Sequence, residues 1–503
     1  MMNHFRRLCI ACLVCSFLRM STAACVADDP TGRDLAFSLQ AAFADAIEQA
    51  EPSLVSVARI RTSDALLADS LLGAPDDPRA MDFRRQIEQR RRGGDPVNPS
   101  WFDTSDPNWV PQDFGSGVII DPDGLILTNY HVVDRYERLR VVLHTGKILA
   151  GDIWAADPRS DLAVIRVDAR DLKPIKLGNA SKVKKGHIVL ALGNPLAIAR
   201  DGRASASWGI ISNISRRLPP PSSNNPEDLT LHHSGTLFQT DARLNYGTSG
   251  GALINLHGEM IGLVTSLAAV RGFDQAAGYA IPLDDMMLRI LAVLREGREV
   301  EYGFLGIRPD DVRPNDGDPT TAGMPKEGAL VRDCFNGSPA YQGGMLPGDV
   351  ITSVDGVPVR NREELVLNVG TRFAGNRVPF TVVRSGKRMN LNVALGKFPV
   401  AGQIYASVRP PNWRGLRVDY ATLLLKNAFT GQERLSDVPD GGVLVISVDS
   451  GSPAANAGIG PNAIITHIGS TRVRNPAEFH EAVKNLKGTV EVRTDQDKHS
   501  VSE

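Results

Sequence analysis

Residues 245–254 read NYGTSGGALI, one serine among three glycines with an apolar run directly behind it. GTSGG satisfies G-x-S-x-G, the pattern of a serine nucleophile on a sharp strand-to-helix elbow in an α/β sheet. The residues after the serine decide against that elbow. GALINL (251–256) and EMIGLVTSLA (259–268) are short β-rich runs separated by His257 and Gly258, so Ser249 is followed by strand rather than helix. The elbow also needs its acid and its histidine after the serine. Here the later histidines, His257, His467, His480 and His499, sit at a turn or inside a C-terminal repeat.

Working outward, the same kind of run recurs from Leu54 to Pro282. LVSVARIRT, GSGVIID, GLILTNY, LRVVLHT, KILAGDIWAAD and LAVIRVD come first; HIVLALG, ASASWGIISNIS, TLFQTD, the two runs behind Ser249 and AGYAIP complete the series. A dozen short strands separated by Gly, Asp, Asn and Pro predict an all-β sandwich or a pair of barrels, not alternating β/α units. Upstream, LAFSLQAAFADAIEQAEPS (35–53) carries apolar residues at helical spacing and ends near Pro52, which predicts one amphipathic helix. Two long polar stretches interrupt the series, 63–112 and RRLPPPSSNNPEDLTLHHSG (216–235). Loops of this length are commonly lids or disordered segments. His232 and His233 lie in the second and read as solvent-exposed side chains, not metal ligands.

Serine needs a base, and the base an orienting acid. His131 follows a strand in LTNYHVVD, and Asp161 precedes one in DPRSDLAVIRV. With Ser249 they stand in the order His, Asp, Ser, separated by 30 and 88 residues, the order of a two-barrel chymotrypsin-like enzyme. Each residue alone reads equally well as a strand-end histidine, a turn aspartate or a bend. Their order and setting are what point to nucleophilic catalysis. A hydrolase acting on non-peptide esters is the more distant reading.

The C-terminal third repeats itself. GSPAYQGGMLPGDVITSVDGVPVRNREEL (337–365) aligns without a gap on GSPAANAGIGPNAIITHIGSTRVRNPAEF (451–479). Two copies are too few for a solenoid, so they predict tandem small domains.

The N-terminus reads as a separate segment. MMNHFRR, LCIACLVCSFL and STAACVA supply the charged, apolar and small-residue parts of a secretory leader, placed at 1–27. Four of the five cysteines lie in it, leaving Cys334 to the mature chain and no internal disulfide. The alternative, a lipid-bearing Cys25, has Thr22 where an aliphatic residue is expected. Net charge is −1, and losing Arg6, Arg7 and Arg19 with the leader takes it to −4, a balance without a nucleic-acid footprint. The Arg-rich QRRRGGD leaves open a weak membrane-surface contact, against the plainer reading of a solvated loop. No metal or other cofactor is expected, and the Asp-rich PDDVRPNDGDP lacks EF-hand spacing.

GSGVIIDPDGLILTNYHVV, DPRSDLAVIRV, IKLGNASKVKKGHIVLALGNPLAI, WGIISNISR and LFQTDARLNYGTSGGALINLHGEMIGL resemble, in matching order, segments of the HtrA/Deg family of exported serine proteases. The two repeats resemble the PDZ domains that follow the protease there. The resemblance implies a mostly β fold, a chymotrypsin-like double β-barrel plus two small α+β PDZ domains. The expected segments are a leader (1–27), a helical segment (28–52), a protease domain (53–290) with an inserted loop 63–112, and PDZ domains at 302–396 and 412–498. It makes His131 the general base, Asp161 its orienting acid and Ser249 the nucleophile, with an oxyanion hole from Gly247, Thr248 and Ser249. It implies an ATP-independent, periplasmic or otherwise extracytoplasmic endopeptidase acting on unfolded or damaged proteins and assembled as a homo-oligomer from trimers. The alternative is a catalytically silent PDZ holdase or scaffold. GFLGI is similar to the loop that binds peptide C-termini, which places Gly303, Phe304, Leu305, Gly306 and Ile307 at a ligand site. The second copy has only WRGLRV (413–418) in that place, and GPNAII where the first has LPGDVI, so the first copy is the expected ligand site.

The chain departs from the family's usual NPGNSGGP at Tyr246, Thr248 and Ala252. Arg243, six residues before Ser249, stands where small residues are usual; with Leu244, Ser266 and Leu267 it marks the expected specificity pocket. Pointing outward it leaves a pocket for small aliphatic side chains; pointing inward it favours acidic ones.

Overall fold

The computed structural model describes residues 32–60, 113–136, 138–194, 202–217, 230–265, 278–313, 324–400, 403–430 and 441–503. The predicted leader, the 63–112 insertion, QRRRGGD, Ser266 and Leu267 lie outside them.

Helix α1 (Gly32–Ala50) runs into a single 3-10 turn that contains Pro52. Only its second half packs against the barrels. Ala46 and Ala50 are buried with Phe43 and Ile47 packed alongside, whereas Leu35, Phe37 and Leu39 are exposed.

The dozen runs become twelve strands. β1 (Leu54–Ile60), β2 (Asp113–Ile119), β3 (Leu125–Asn129), β4 (Arg138–Leu143), β5 (Ile148–Asp157) and β6 (Leu162–Val167) are ordered β5-β4-β1-β2-β3-β6. β6 pairs back onto β5 and closes the first barrel. β7 (Ile188–Gly193), β8 (Ser205–Arg216), β9 (Leu237–Thr240), β10 (Ala252–Ile254), β11 (Met260–Thr265) and β12 (Gly278–Pro282) close the second. Alternation fills each interior: Val57, Ile126, Val141 and Ile165 in the first, Val189, Ile211, Phe238 and Val264 in the second. A third cluster joins the barrels along the outward residues Leu127, Val164, Leu192 and Leu263. The seam between the barrels is therefore itself a core, which holds residues from the two halves in fixed register.

Helix α3 (Asp285–Arg295) comes next, the four-residue α2 (Tyr130–Val133) having come after β3. The Asp284 carboxylate caps α3 by accepting from the Met286 and Met287 amides at 3.1 and 2.9 Å. Met287, Ile290, Leu291 and Leu294, spaced one turn apart, are buried against the inter-barrel cluster.

The first repeat domain comprises β13 (Gly303–Phe304), β14 (Ile307–Asp311), β15 (Ala329–Cys334), β16 (Val350–Val354), β17 (Val357–Pro358), β18 (Arg377–Arg384), β19 (Lys387–Ala394) and β20 (Gly396–Lys397). Helices α4 (Pro339–Gln342) and α5 (Arg362–Gly370) pack on it. Its main sheet is ordered β14-β15-β16-β18-β19, which leaves β14 at an edge. A linker strand, β21 (Tyr405–Ala406), pairs with β5 of the first barrel. The second repeat domain has β22 (Leu416–Tyr420), β23 (Val443–Val448), β24 (Ile464–Ile468), β25 (Thr471–Arg472), β26 (Val490–Thr494) and β27 (Lys498–Val501), with α6 (Pro453–Asn456) and α7 (Pro476–Val483).

The repeat is physical as well as textual. Ser338 and Ser452 cap α4 and α6, each followed by Pro at the first helical position. Asn361 and Asn475 accept from the Glu364 and Glu478 amides at 2.9 Å, and both glutamates reach back to the amides of Arg360 and Arg474. The two helices thus carry the same cap, an N-cap asparagine with a glutamate three residues on that bonds the residue before the cap.

Candidate active site

His131 lies in α2, directly after β3 of the first barrel. Asp161 ends the 158–161 turn directly before β6 beside it, and Ser249 precedes β10 of the second barrel. The three predicted residues therefore line the seam. Nδ1 of His131 is 3.0 and 2.9 Å from the two carboxylate oxygens of Asp161, and the His131 backbone N–H donates to Oδ1 at 3.0 Å. Nε2 of His131 is buried and makes no hydrogen bond among the described residues. A neutral imidazole that donates from Nδ1 leaves its lone pair on Nε2, the arrangement a general base requires.

Asp161 is held tightly. Its φ of 56° is in the left-handed region, uncommon for a residue with a side chain. Its carbonyl accepts from the Tyr130 amide at 3.0 Å and from the Asn129 side chain at 3.3 Å, so the residue that caps α2 also fixes the acid. Asp161 is 3 % exposed.

The Ser249 turn is shaped by what it touches. Gly247 has φ 96°, and a Cβ there would stand 2.5 Å from the Phe114 ring and 2.7 Å from the Asn194 carbonyl, so only glycine fits. Tyr246 packs edge-on against Phe114 with ring centroids 4.9 Å apart, which gives this departure from the usual sequence a structural role. The Thr248 amide donates to the Asn245 carbonyl at 3.1 Å. That corrects the expected oxyanion hole: the Thr248 N–H closes the turn, leaving Gly247 and Ser249 as candidate donors.

Ser116 was not singled out from sequence, yet it ties the turn to the first barrel. Its amide donates to the Ser249 carbonyl at 2.7 Å and its hydroxyl donates to the Gly247 carbonyl at 2.8 Å. The same hydroxyl accepts from the Asn194 amide at 2.8 Å. The glycine before it allows the approach, since a Cβ on Gly115 would stand 2.8 Å from Val132 and 3.0 Å from the Ser249 carbonyl.

Two expectations about neighbouring residues need correction or completion. His232 is fully buried, not solvent-exposed. Its Nε2–H donates to the Ser160 carbonyl at 2.8 Å, and Nδ1 pairs with the Thr236 hydroxyl at 2.9 Å. Burial pulls its pKa below the usual imidazole value, with the Asp161 carboxylate pulling the other way. His233 is half-buried and accepts the Thr230 amide at 2.9 Å. Arg243 is exposed, and its carbonyl accepts from the Ser207 hydroxyl at 2.7 Å. Leu244 is half-buried against Gly278.

The turn that carries Asp161 is also anchored from the first repeat domain. The buried Asp157 carboxylate accepts from the Ser160 amide at 2.9 Å, from the Ser160 hydroxyl and from the Tyr302 hydroxyl. Arg159, also buried, lies 4.7 Å over the Tyr302 ring and 3.9 Å over that of Phe398. Burial raises the Asp157 pKa and lowers that of Arg159. Sequence offered no signal for this cluster, because its members are up to 241 residues apart.

In the first repeat domain Phe304, Leu305 and Ile307 are buried, and Gly306 has φ 76°, with a Cβ there 2.3 Å from Ser338. The carbonyls of Leu305 and Gly306 accept from Ala340 and Phe335 at 2.9 and 3.1 Å.

Known proteins share this combination. Residues 115–263 match the trypsin-like peptidase domain family, and residues 303–395 and 444–494 each match a PDZ domain family. A probable periplasmic serine endoprotease, DegP-like, from Hahella chejuensis is 32% identical over 447 residues, covering 88% of both chains. The chain belongs to the HtrA/DegP family of serine endoproteases. A DegP-like protein from Pseudomonas savastanoi pv. phaseolicola is 31% identical, again over 88% of both chains. Among solved structures, the HtrA-type protease AlgW with a decapeptide matches with TM-score 0.51 and 25% identity, over 74% of this chain and 99% of that one. The same protease with a tripeptide matches with TM-score 0.51 and 25% identity, over 74% and 98%. As a member of this family, the chain is a serine endopeptidase.

Proposed function

We propose that this HtrA/DegP-family chain works outside the cytoplasm, cleaving unfolded or damaged proteins through Ser249, His131 and Asp161. The observation that carries the reading is the His131 ring, held by Asp161 through Nδ1, with its Nε2 buried and without a hydrogen bond among the described residues at the seam that also holds Ser249.

His131 Nε2 takes the Ser249 hydroxyl proton as Oγ attacks the scissile carbonyl, then returns it to the leaving amine. Asp161 keeps the ring in the Nδ1–H tautomer and stabilises the imidazolium. The amides of Gly247 and Ser249 receive the oxyanion, each donor contributing about 10²- to 10³-fold in rate. With Arg243 exposed, the half-buried Leu244 packed beside Gly278 offers an apolar contact that suits small aliphatic side chains before the cleaved bond.

The location outside the cytoplasm rests on the leader-like N-terminus and on the relatives' description as periplasmic. The first PDZ domain takes C-terminal peptides at its 303–307 loop, a reading supported by solved relatives that carry peptides. Assembly from trimers is supported by the exposed Leu35, Phe37 and Leu39 of α1 and by Trp208, 62 % exposed beside Phe43.

The test is degradation of unfolded casein by the wild type beside Ser249→Ala. Loss of the nucleophile removes about 10⁶-fold in turnover. Inert wild-type protein, even when heated or given PDZ-binding peptides, would overturn the reading in favour of a holdase.

A further inference from the structure

We propose that the first PDZ domain reads only the end of its ligand. It holds a terminal carboxylate and the last side chain, and does not extend a bound peptide along its sheet. This rests on the proposed binding of C-terminal peptides at the 303–307 loop.

A PDZ ligand adds as a strand to a sheet edge, so main-chain bonds supply much of its affinity. The available edge is β14, the outermost strand of its sheet, with α5 packed nearby. A carboxylate seated at the loop before Ile307 makes the rest of the peptide run antiparallel to β14, toward Asp311. Along a strand, main-chain groups point to the two edges alternately, so Ile307, Pro309 and Asp311 face the same side.

Beyond Ile307, that side lacks free N–H donors. Pro309 has no N–H, and an edge strand accommodates proline where its nitrogen faces away from the ladder. β14 is such a strand, and the Pro309 nitrogen therefore faces the incoming ligand. The next donor is already taken, because the Asp311 amide donates to the Asp310 carboxylate at 2.9 Å. Finally, the Asp311 carboxylate accepts from the Arg362 amide at 2.9 Å, tying the far end of β14 to the start of α5. A peptide leaving the loop thus meets no free N–H donor along β14 beyond Ile307, and at the far end it meets the Asp311–Arg362 link between β14 and α5. The loop itself is ready: among the described residues the Leu305 and Gly306 amides make no hydrogen bond.

The second PDZ domain has the complementary defect. Gly415 matches Gly306, with φ 87° and a Cβ position 2.2 Å from Ser452. Three residues on, Val418 replaces Pro309 and keeps its N–H. Its loop differs at one donor: the Leu416 amide, the counterpart of Ile307, is spent on the Trp413 carbonyl at 2.8 Å, and the Trp413 amide returns a bond to Leu416 at 3.1 Å. Recognition of a free terminus belongs to the first domain.

The experiment measures binding to the full chain carrying Ser249→Ala, which prevents cleavage of the probes. Dipeptide, tetrapeptide and octapeptide ligands share one apolar C-terminal residue, each as the free acid and as the amide. The tetrapeptide and octapeptide acids should bind within about twofold of each other, since β14 has no further N–H to donate to the longer chain. Amides should bind at least about tenfold more weakly, having lost a charge-assisted contact. Pro309→Ile restores a donor and should tighten the octapeptide by about two- to tenfold, leaving the dipeptide unchanged. An octapeptide binding the unaltered chain more than about tenfold better than the tetrapeptide would overturn the end-reading proposal alone. Acid and amide binding equally would instead overturn the carboxylate site on which it rests.

Discussion

Replacing Asp161 with Asn tests the proposed chemistry at its most constrained point. In the wild type one carboxylate oxygen accepts the His131 backbone N–H at 3.0 Å, and the other lies 2.9 Å from Nδ1. A carboxamide has one acceptor. Oriented to keep the backbone bond, it directs its NH₂ group at Nδ1. With a donor in place of the acceptor at 2.9 Å, and only the backbone-bonded oxygen at 3.0 Å left to face Nδ1, the imidazole shifts toward accepting at Nδ1 and carrying its proton on Nε2, the nitrogen that has to take the Ser249 proton. Oriented the other way, it sets a donor against the backbone N–H, an opposed pair costing about 1–3 kcal/mol. The second orientation keeps the productive tautomer but is disfavoured by that cost, so the first prevails and disables the base while size and burial stay unchanged. The corresponding change in a Ser-His-Asp enzyme lowers kcat about 10⁴-fold, about 5 kcal/mol in barrier. The assay is kcat on a fluorogenic peptide with a small aliphatic residue before the cleaved bond, together with melting temperature to confirm folding. A folded Asp161→Asn protein retaining more than about a tenth of wild-type kcat would refute the role assigned to Asp161.

Two further outcomes are expected. Arg243→Ala should leave the ratio of kcat/KM for Val and Glu peptides unchanged, because the side chain is exposed; a fall in Glu cleavage of about tenfold would place it in the pocket. His232 is held neutral by burial, its folded pKa lying below the unfolded value of about 6.5. Its contribution to stability is present above that value and is lost as pH falls toward the folded pKa, because the unfolded chain takes up the proton first. Asp161 favours the proton there, while His131 and His233 oppose it. His232→Gln retains a donor for Ser160 and does not titrate, so its melting temperature should decline less than wild type between neutral and mildly acidic pH. Parallel curves in calorimetry would exclude His232 as the source.

Much of this protein is written locally in its sequence. The twelve runs between Leu54 and Pro282 became β1 to β12 because alternation and turn residues act within a few positions. The order His131, Asp161, Ser249 and the duplicated Ser-Pro and Asn caps were likewise legible. Tertiary structure decided the rest. His232 sits in a polar stretch, yet docking against the 157–161 turn buries it. Thr248 looked like an oxyanion donor until the turn took its amide, and Ser116 matters only where the two barrels meet. Arg159 is buried by rings at positions 302 and 398, partners that no short window contains. Pro309 shows the division most plainly: its missing N–H is plain in the sequence, but the consequence depends on β14 being an edge strand. Short-range pattern specifies elements, whereas burial, hydrogen-bond occupancy and the faces left open are set by contacts between residues far apart in the chain.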